Sequence, residues 1–168
     1  MNIIHTLLRL PPRSLFLVLA ALCMSLLGAG LYLQHGLGIE PCPMCIMQRY
    51  ALLLVGLIAL VAGVHGVERR GVRVYAGLIV LAALCGAGIA ARQSWMQLFP
   101  PAVPECGPGL DFMLDSFPLG QALPMIFRGA GDCARVDWSF LGLSLANWSL
   151  LCFAATIVYA GWLLGRRR

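Results

Sequence analysis

The chain has 168 residues, of which 60% are hydrophobic and only 11% are charged. This composition lies outside the range of an ordinary soluble domain and indicates an integral membrane protein. The formal net charge of +5 comes from arginines that form no basic patch with interleaved aromatic residues, which argues against binding to nucleic acid.

Four apolar stretches are long enough to cross the hydrocarbon core of a lipid bilayer, which takes roughly 20 residues. They predict one integral membrane domain over residues 1–168, an all-α bundle of four transmembrane helices. The predicted spans are 14–33, 45–64, 74–91 and 145–164, with two loops on one face at about 34–44 and 92–144.

The first apolar stretch has one alternative interpretation. It follows Arg9 and Arg13 and ends near a triplet of small residues at 28–30, which together are typical of a cleaved signal peptide. Its apolar run is long for such a peptide, so we favour a transmembrane helix.

The twelve basic residues are all arginines and are distributed unevenly across the predicted bundle. The side with both termini carries Arg9, Arg13, Arg69, Arg70, Arg73 and Arg166 to Arg168, and the other side carries Arg49, Arg92, Arg128 and Arg135. Because cytoplasmic loops are rich in positive residues, this distribution predicts that both termini are cytoplasmic and that the loops at 34–44 and 92–144 are exported. The connection at 65–73 is then a short basic turn.

The predicted topology sorts the seven cysteines into two groups. Cys23, Cys85 and Cys152 lie mid-helix, where cysteine usually behaves as a small hydrophobic residue. Cys42, Cys45, Cys106 and Cys133 lie on the exported side, where disulfides persist. Cys42 and Cys45 form a Cys-x-x-Cys motif at a predicted helix start, and both features lower the pKa of a thiol. A reactive thiolate is therefore expected at the membrane edge.

Three interpretations of the four exported cysteines compete. Structural zinc favours two close pairs of ligands, whereas Cys106 and Cys133 are far apart in sequence, so we predict no metal. Two inert disulfides are a second alternative, although a Cys-x-x-Cys closes a very small ring and is typical of exchange chemistry. The third interpretation, which we favour, is a relay of two redox pairs by thiol-disulfide exchange.

Arg49 follows Cys45 by one helical turn and lies on the same face of the predicted helix. A permanent charge that enters a membrane helix is a candidate functional residue. Opposite a Cys45 thiolate, Arg49 would favour the charged form and could stabilise a reduced, anionic acceptor. The alternative is an arginine that reaches back to the membrane interface.

The second exported loop contains an apolar pattern at helical spacing. Leu110, Met113, Leu114 and Phe117 follow the i, i+3, i+4, i+7 pattern of a short helix on the membrane surface. Packing of these residues onto the end of the bundle explains the pattern equally well.

The motifs together resemble the family of bacterial disulfide bond formation protein B (DsbB), and the resemblance covers nearly the whole chain. It rests on 41–45 with Gln48 and Arg49, on 97–100, on Cys106 with 111–113, and on 131–134 with Trp138, 140–143 and Trp148. It implies a thiol oxidase of the bacterial inner membrane, with its active cysteines on the periplasmic side. Such an enzyme re-oxidises a DsbA-type dithiol oxidase and passes the electrons to ubiquinone or menaquinone.

The resemblance also implies a role for each exported cysteine. The reduced partner would attack Cys106 to give a mixed disulfide, and Cys133 would then attack Cys42. Cys45 would remain as the thiolate that faces the quinone. Arg49 matches the family's arginine near the quinone and would polarise a carbonyl oxygen of the ring.

Gln93 departs from the pattern, because some relatives carry a histidine near the outer end of the third helix. A glutamine donates a hydrogen bond but carries no proton, so we expect Gln93 to be at most a contact in the quinone site. The aromatic residues of the exported interface are candidates either for stacking on the quinone ring or for ordinary interfacial anchoring. They are Trp95, Phe99, Trp138, Phe140 and Trp148.

Two rival functions remain open at this point. A conduit that carries electrons outward from the cytoplasm would need redox-active thiols reachable from inside, which only Cys23, Cys85 or Cys152 could supply. A non-enzymatic scaffold with two disulfides would not need Arg49.

Overall fold

The computed structural model describes residues 11–100, 116, 118, 133, 134, 136 and 138–165. Most of these residues belong to four long helices, which are α1 (Pro12–Leu37), α2 (Pro43–His65), α3 (Arg69–Leu98) and α4 (Leu145–Gly165). All four are long and apolar enough to cross a membrane. The prediction of an all-α membrane protein with four transmembrane helices is therefore confirmed.

Proline and glycine mark the ends of the first two helices. Pro12 and Pro43 occupy first-turn positions, where the missing N–H of proline costs no helical hydrogen bond. The helices end before Gly38 and Gly66, whose φ angles are 68° and 59°. Because glycine adopts positive φ without steric cost, the chain can leave each helix and turn back at these residues.

The helices extend beyond the predicted spans. α3 begins at Arg69 and ends at Leu98, so the predicted loop at 65–73 shrinks to residues 66–68. α1 likewise continues to Leu37, into the predicted loop at 34–44. The apolar run marks only the part of a helix that crosses hydrocarbon, whereas backbone hydrogen bonds carry the helix past it, and arginine is itself a good helix former. Of the predicted surface helix at 110–117 the structure describes only residue 116, which is helical, and Cys106 lies outside the described residues.

Consecutive helices pack side by side, α1 on α2, α2 on α3 and α3 on α4. α4 also reaches α1, where the Tyr159 hydroxyl donates to the carbonyl oxygen of Leu15 at 3.1 Å. Small residues dominate the contacts, because helices in lipid gain stability from close approach of their backbones. The fully buried alanines are Ala59, Ala62, Ala76, Ala83, Ala90 and Ala160.

A short antiparallel hairpin precedes α4. Its strands, β1 (Ser139–Phe140) and β2 (Leu143–Ser144), are joined by Leu141 and Gly142, both with positive φ. Such a two-residue turn matches the twist of the paired strands. This hairpin could not be predicted from the sequence, because strands of two residues are too short for an alternating pattern. The hairpin lies at the end of the bundle where α1 and α3 end and α2 and α4 begin.

Candidate redox site at one end of the bundle

Cys42 and Cys45 lie at the start of α2. Cys42 is the residue that caps the helix, and its sulfur accepts a hydrogen bond from the backbone N–H of Cys45 at 3.3 Å. The two sulfur atoms are 3.0 Å apart. A disulfide bond is only about 2.05 Å long, so the structure describes this pair as a dithiol whose sulfurs are already adjacent. The helix start also places the positive end of the backbone dipole at these sulfurs.

Gln93 reaches the pair from α3. Its Nε2 atom lies 3.3 Å from the Cys42 sulfur and 3.2 Å from the Cys45 sulfur. Its Oε1 atom accepts a hydrogen bond of 2.7 Å from Nε2 of Gln48, one turn into α2. Gln48 and Gln93 are 5% and 3% exposed, so little water competes for these hydrogen bonds.

Cys133 enters the site from the connection between α3 and α4. Its side chain is fully buried and packs in a small cluster with Met44, Ile89 and Met96. It also shares a hydrogen bond with the Cys42 thiol. The hydrogen bond to Cys133, the one to Cys45 and burial raise the pKa of Cys42 above its ordinary value, so Cys42 is held as a neutral thiol.

Arg49 turns towards α1. Its Nη1 atom donates to Oε1 of Gln34 at 2.5 Å, and its Nη2 atom donates to the carbonyl oxygen of Gly30 at 2.9 Å. Both acceptors are uncharged, so the guanidinium keeps its full positive charge. A Cβ on Gly30 would lie 3.4 Å from Nε of Arg49, so the bare glycine backbone leaves room for the arginine to lie along α1.

A cavity of about 350 Å³ opens beside Cys45 and Arg49, between α1, α2 and α4. Its walls are mostly apolar side chains, and its polar groups, including Gln48, are few. Such a cavity suits a flat apolar molecule with a few polar atoms.

Three aromatic residues of the hairpin region line one side of this cavity: Trp138, Phe140 and Trp148. The Trp138 and Phe140 rings are nearly parallel, with centroids 6.0 Å apart, and Trp148 donates its indole N–H to the carbonyl oxygen of Phe140. Trp95 and Phe99 instead pack on each other, with centroids 4.7 Å apart, and do not line the cavity.

The structure brings together most of the residues that the sequence singled out. Three of the four cysteines that the sequence predicts on the exported side meet at one point, and Cys106 lies outside the described residues. Gln93 contacts the sulfurs of Cys42 and Cys45, whereas the sequence predicted at most a contact with a quinone. The sequence analysis gave no role to Gln34 or Gly30 and named Gln48 only as part of the family resemblance. A glutamine inside an apolar helix was a usable signal for Gln48, whereas the contacts of Arg49 depend on how α1 packs against α2.

The arrangement can exchange disulfides and move electrons. A thiol of one loop contacts the outer sulfur of a Cys-x-x-Cys pair, and the inner sulfur borders an apolar cavity that contains one positive charge. A thiol-disulfide exchange between Cys133 and Cys42 would leave charge on Cys45, next to that cavity.

Comparison with known proteins gives a consistent result. Residues 12–163 match the family model described as Disulfide bond formation protein DsbB. The chain is 69% identical over 156 residues to Disulfide bond formation protein B of Azoarcus sp. (strain BH72), an alignment that covers 93% of this chain and 94% of the relative. It is 45% identical over 162 residues to the protein of the same name from Chromobacterium violaceum, with 96% and 98% covered.

Proposed function

Because the chain belongs to the disulfide bond formation protein B (DsbB) family and so has a role in forming disulfide bonds, we propose that it oxidises a DsbA-type periplasmic protein and passes the electrons to a membrane quinone. The site would lie on the periplasmic side of the bacterial inner membrane, with both termini in the cytoplasm. The arginine distribution supports this orientation.

The observation that carries the proposal is the contact between Cys133 and Cys42 beside a cavity that begins at Cys45. In the oxidised enzyme, Cys106 pairs with Cys133 and Cys42 pairs with Cys45. The reduced partner attacks Cys106, which forms a mixed disulfide and leaves Cys133 as a thiolate. Because Cys133 is already in contact with Cys42, it can attack that sulfur without a large movement of the bundle.

The second exchange moves charge towards the cavity. A bond forms between Cys133 and Cys42, the bond between Cys42 and Cys45 breaks, and its electron pair stays on Cys45. The second thiol of the partner then displaces Cys106 and the partner leaves with its own disulfide. Cys106 attacks Cys133 to restore the first pair, which returns Cys42 to the reduced state beside Cys45.

The reduced Cys42 and Cys45 must then lose two electrons and two protons as their disulfide re-forms. A quinone held in the cavity by Arg49 and by the apolar and aromatic walls would supply the acceptor for these two electrons and two protons. Arg49 would donate to a carbonyl oxygen of the ring, and its charge would stabilise negative charge that develops there. The apolar walls and the aromatic side would hold the ring and exclude water.

The redox balance also supports a quinone. A DsbA-type partner is a strong oxidant with a potential of about −120 mV, so a glutathione-like disulfide pool is too reducing to re-oxidise it. The acceptor must have a higher potential and must be available at the membrane. Ubiquinone and menaquinone both satisfy the second condition and both suit an apolar cavity.

The test is quinone reduction by the purified full-length protein in detergent, with a reduced DsbA-type partner and ubiquinone or menaquinone. We expect quinone absorbance to fall only when the partner is present, and Cys45→Ser to abolish the reaction. Cys85→Ser is the matched control, because Cys85 is exposed on the surface of α3 and should retain the wild-type rate.

Two results would contradict the proposal. Failure of the wild-type protein with both quinones would favour the scaffold with inert disulfides. Full activity of Cys45→Ser, combined with loss of activity when the mid-helix cysteines are replaced, would favour the outward conduit of electrons.

A further inference from the structure

We propose that Gln93 is a catalytic hydrogen-bond donor to the Cys42–Cys45 pair and that Gln48 is the positioning residue that keeps the Gln93 amide facing the sulfurs. The inference rests on the proposed function, since it concerns the step in which Cys45 leaves as a thiolate. It gives the buried, uncharged side chains of Gln93 and Gln48 a function in that step.

The contacts of Gln93 define its role. One amide nitrogen lies within 3.3 Å of both sulfurs, and an amide nitrogen carries two N–H groups. It can therefore donate to each sulfur at once. A sulfur that gains negative charge accepts such hydrogen bonds more strongly than a neutral thiol or disulfide, so the donor acts mainly when charge develops.

The orientation of the Gln93 amide decides whether it stabilises or destabilises a thiolate on Cys45. With the oxygen turned towards the sulfurs, a lone pair would face the developing thiolate and repel it. In the structure the oxygen accepts from Gln48 at 2.7 Å and, over the longer distance of 3.7 Å, from the Cys45 thiol, whereas the amide nitrogen lies 3.2 Å from that sulfur. The hydrogen bond from Gln48 thus holds the nitrogen of Gln93 towards the sulfurs.

Arg49 cannot easily replace this donor. Two of its nitrogens already donate to Gln34 and to the carbonyl oxygen of Gly30, both on α1. Gln93 approaches from α3, on the side of both sulfurs. The site therefore has a charged group, Arg49, on the cavity side and a neutral hydrogen-bond donor, Gln93, beside both sulfurs. Because an amide does not titrate, Gln93 remains a donor at every pH.

The exchange step balances without proton transfer from Gln93. Cys133 forms a bond with Cys42, the Cys42–Cys45 bond breaks, and the electron pair goes to Cys45. The amide keeps both of its hydrogens and only strengthens its hydrogen bond to the departing sulfur.

The test measures the thiolate directly and uses neither quinone nor partner. The full-length protein in detergent is reduced, the reductant is removed, and iodoacetamide alkylation of the peptide that contains Cys45 is followed by mass spectrometry from pH 6 to pH 10. Since only the thiolate reacts, the rate near neutral pH reports how well the site stabilises it.

We expect Gln93→Leu to slow alkylation of Cys45 near pH 7 by about tenfold, the loss expected for one hydrogen bond to a charged group. The rates should converge near pH 10, where thiols ionise without help. Gln93→His keeps an N–H donor and should stay within about threefold of wild type, and Gln48→Leu should fall between the two. Gln97→Leu is the matched control, because Gln97 accepts from Ser144 one turn further along α3 and should react as wild type does.

Three outcomes would overturn the inference or one part of it. A wild-type rate in Gln93→Leu would show that the amide does not stabilise the thiolate, and a loss of equal size at every pH would show altered access instead. A wild-type rate in Gln48→Leu would remove the positioning role. If Gln93→Leu fails to fold, Gln48→Leu and Gln93→His still test both parts. Because the assay omits quinone and partner, it can succeed even if quinone reduction fails.

Discussion

One cysteine at the end of the bundle and one in its middle are both buried but differ in their surroundings. Cys133 at the end of the bundle is 0% exposed, and Cys23 in the middle of the bundle is 2% exposed. Cys133 contacts a second thiol within a site that also contains amide and guanidinium donors. Cys23 instead belongs to the apolar core, next to Gly56 of α2. Cys23 also has a neighbouring cysteine, Cys152, so burial beside a second thiol does not set the two sites apart, whereas the hydrogen-bond donors of the site that contains Cys133 do.

The test with the largest expected effect replaces each of these two cysteines in turn. We expect Cys133→Ser to lower partner-dependent quinone reduction by more than about 100-fold, because no thiol then passes electrons to Cys42. Cys23→Ser should retain the activity of the wild-type protein, since Cys23 lies outside the relay. The measurement is the fall in quinone absorbance with a reduced DsbA-type partner. Equal losses in the two variants would show that packing, rather than thiol chemistry, limits the reaction.

A smaller effect is expected from Arg49, whose guanidinium lies beside the cavity at the same end of the bundle as Cys133. Arg49→Met should raise the apparent KM for quinone by about tenfold, because the ring loses a charge-assisted hydrogen bond. Arg92→Met removes an exposed arginine next to Gln93 and should leave the KM unchanged. The KM is read from initial rates at increasing quinone concentration. An unchanged KM in Arg49→Met would favour the alternative in which Arg49 only reaches the membrane interface.

The same comparison shows what could be predicted from the sequence. The four helices could be predicted because an apolar run of about 20 residues has few other stable structures in a membrane protein. The sequence also singled out Cys42, Cys45 and Cys133 by their spacing, their predicted placement on one side of the membrane and the family resemblance, and the structure brings the three together. These signals are local or depend only on the order of the spans.

The remaining contacts could not be predicted because they depend on packing between helices. The hydrogen bond between Arg49 and Gln34 requires α1 to continue past its apolar run, and the one between Gln48 and Gln93 requires a particular register of α2 against α3. Hydropathy marks neither the polar last turn of a helix nor the register of two helices. The surface helix predicted at 110–117 and the place of Cys106 stay predictions.

The smallest effect on activity is expected from a change in the middle of the bundle. Gly86 lies against the ring of Phe153 on α4, and a Cβ there would come within 2.4 Å of the ring carbon Cζ. Gly86→Ala should therefore lower the free energy of unfolding by about 1–2 kcal/mol, the usual cost of overpacking a core. Gly88→Ala is the matched control, because a Cβ at Gly88 meets no atom within 4 Å.

The two glycine variants are compared by thermal unfolding in detergent and by quinone reduction at a temperature where both are folded. We expect Gly86→Ala to unfold at a lower temperature than Gly88→Ala while both reduce quinone at the wild-type rate. The reason is that the ring of Phe153 can shift within the core without moving the start of α2, where Cys42 and Cys45 lie. If folded Gly86→Ala lost quinone reduction, the geometry of the redox site would depend on packing in the middle of the bundle, and the two regions would not be independent.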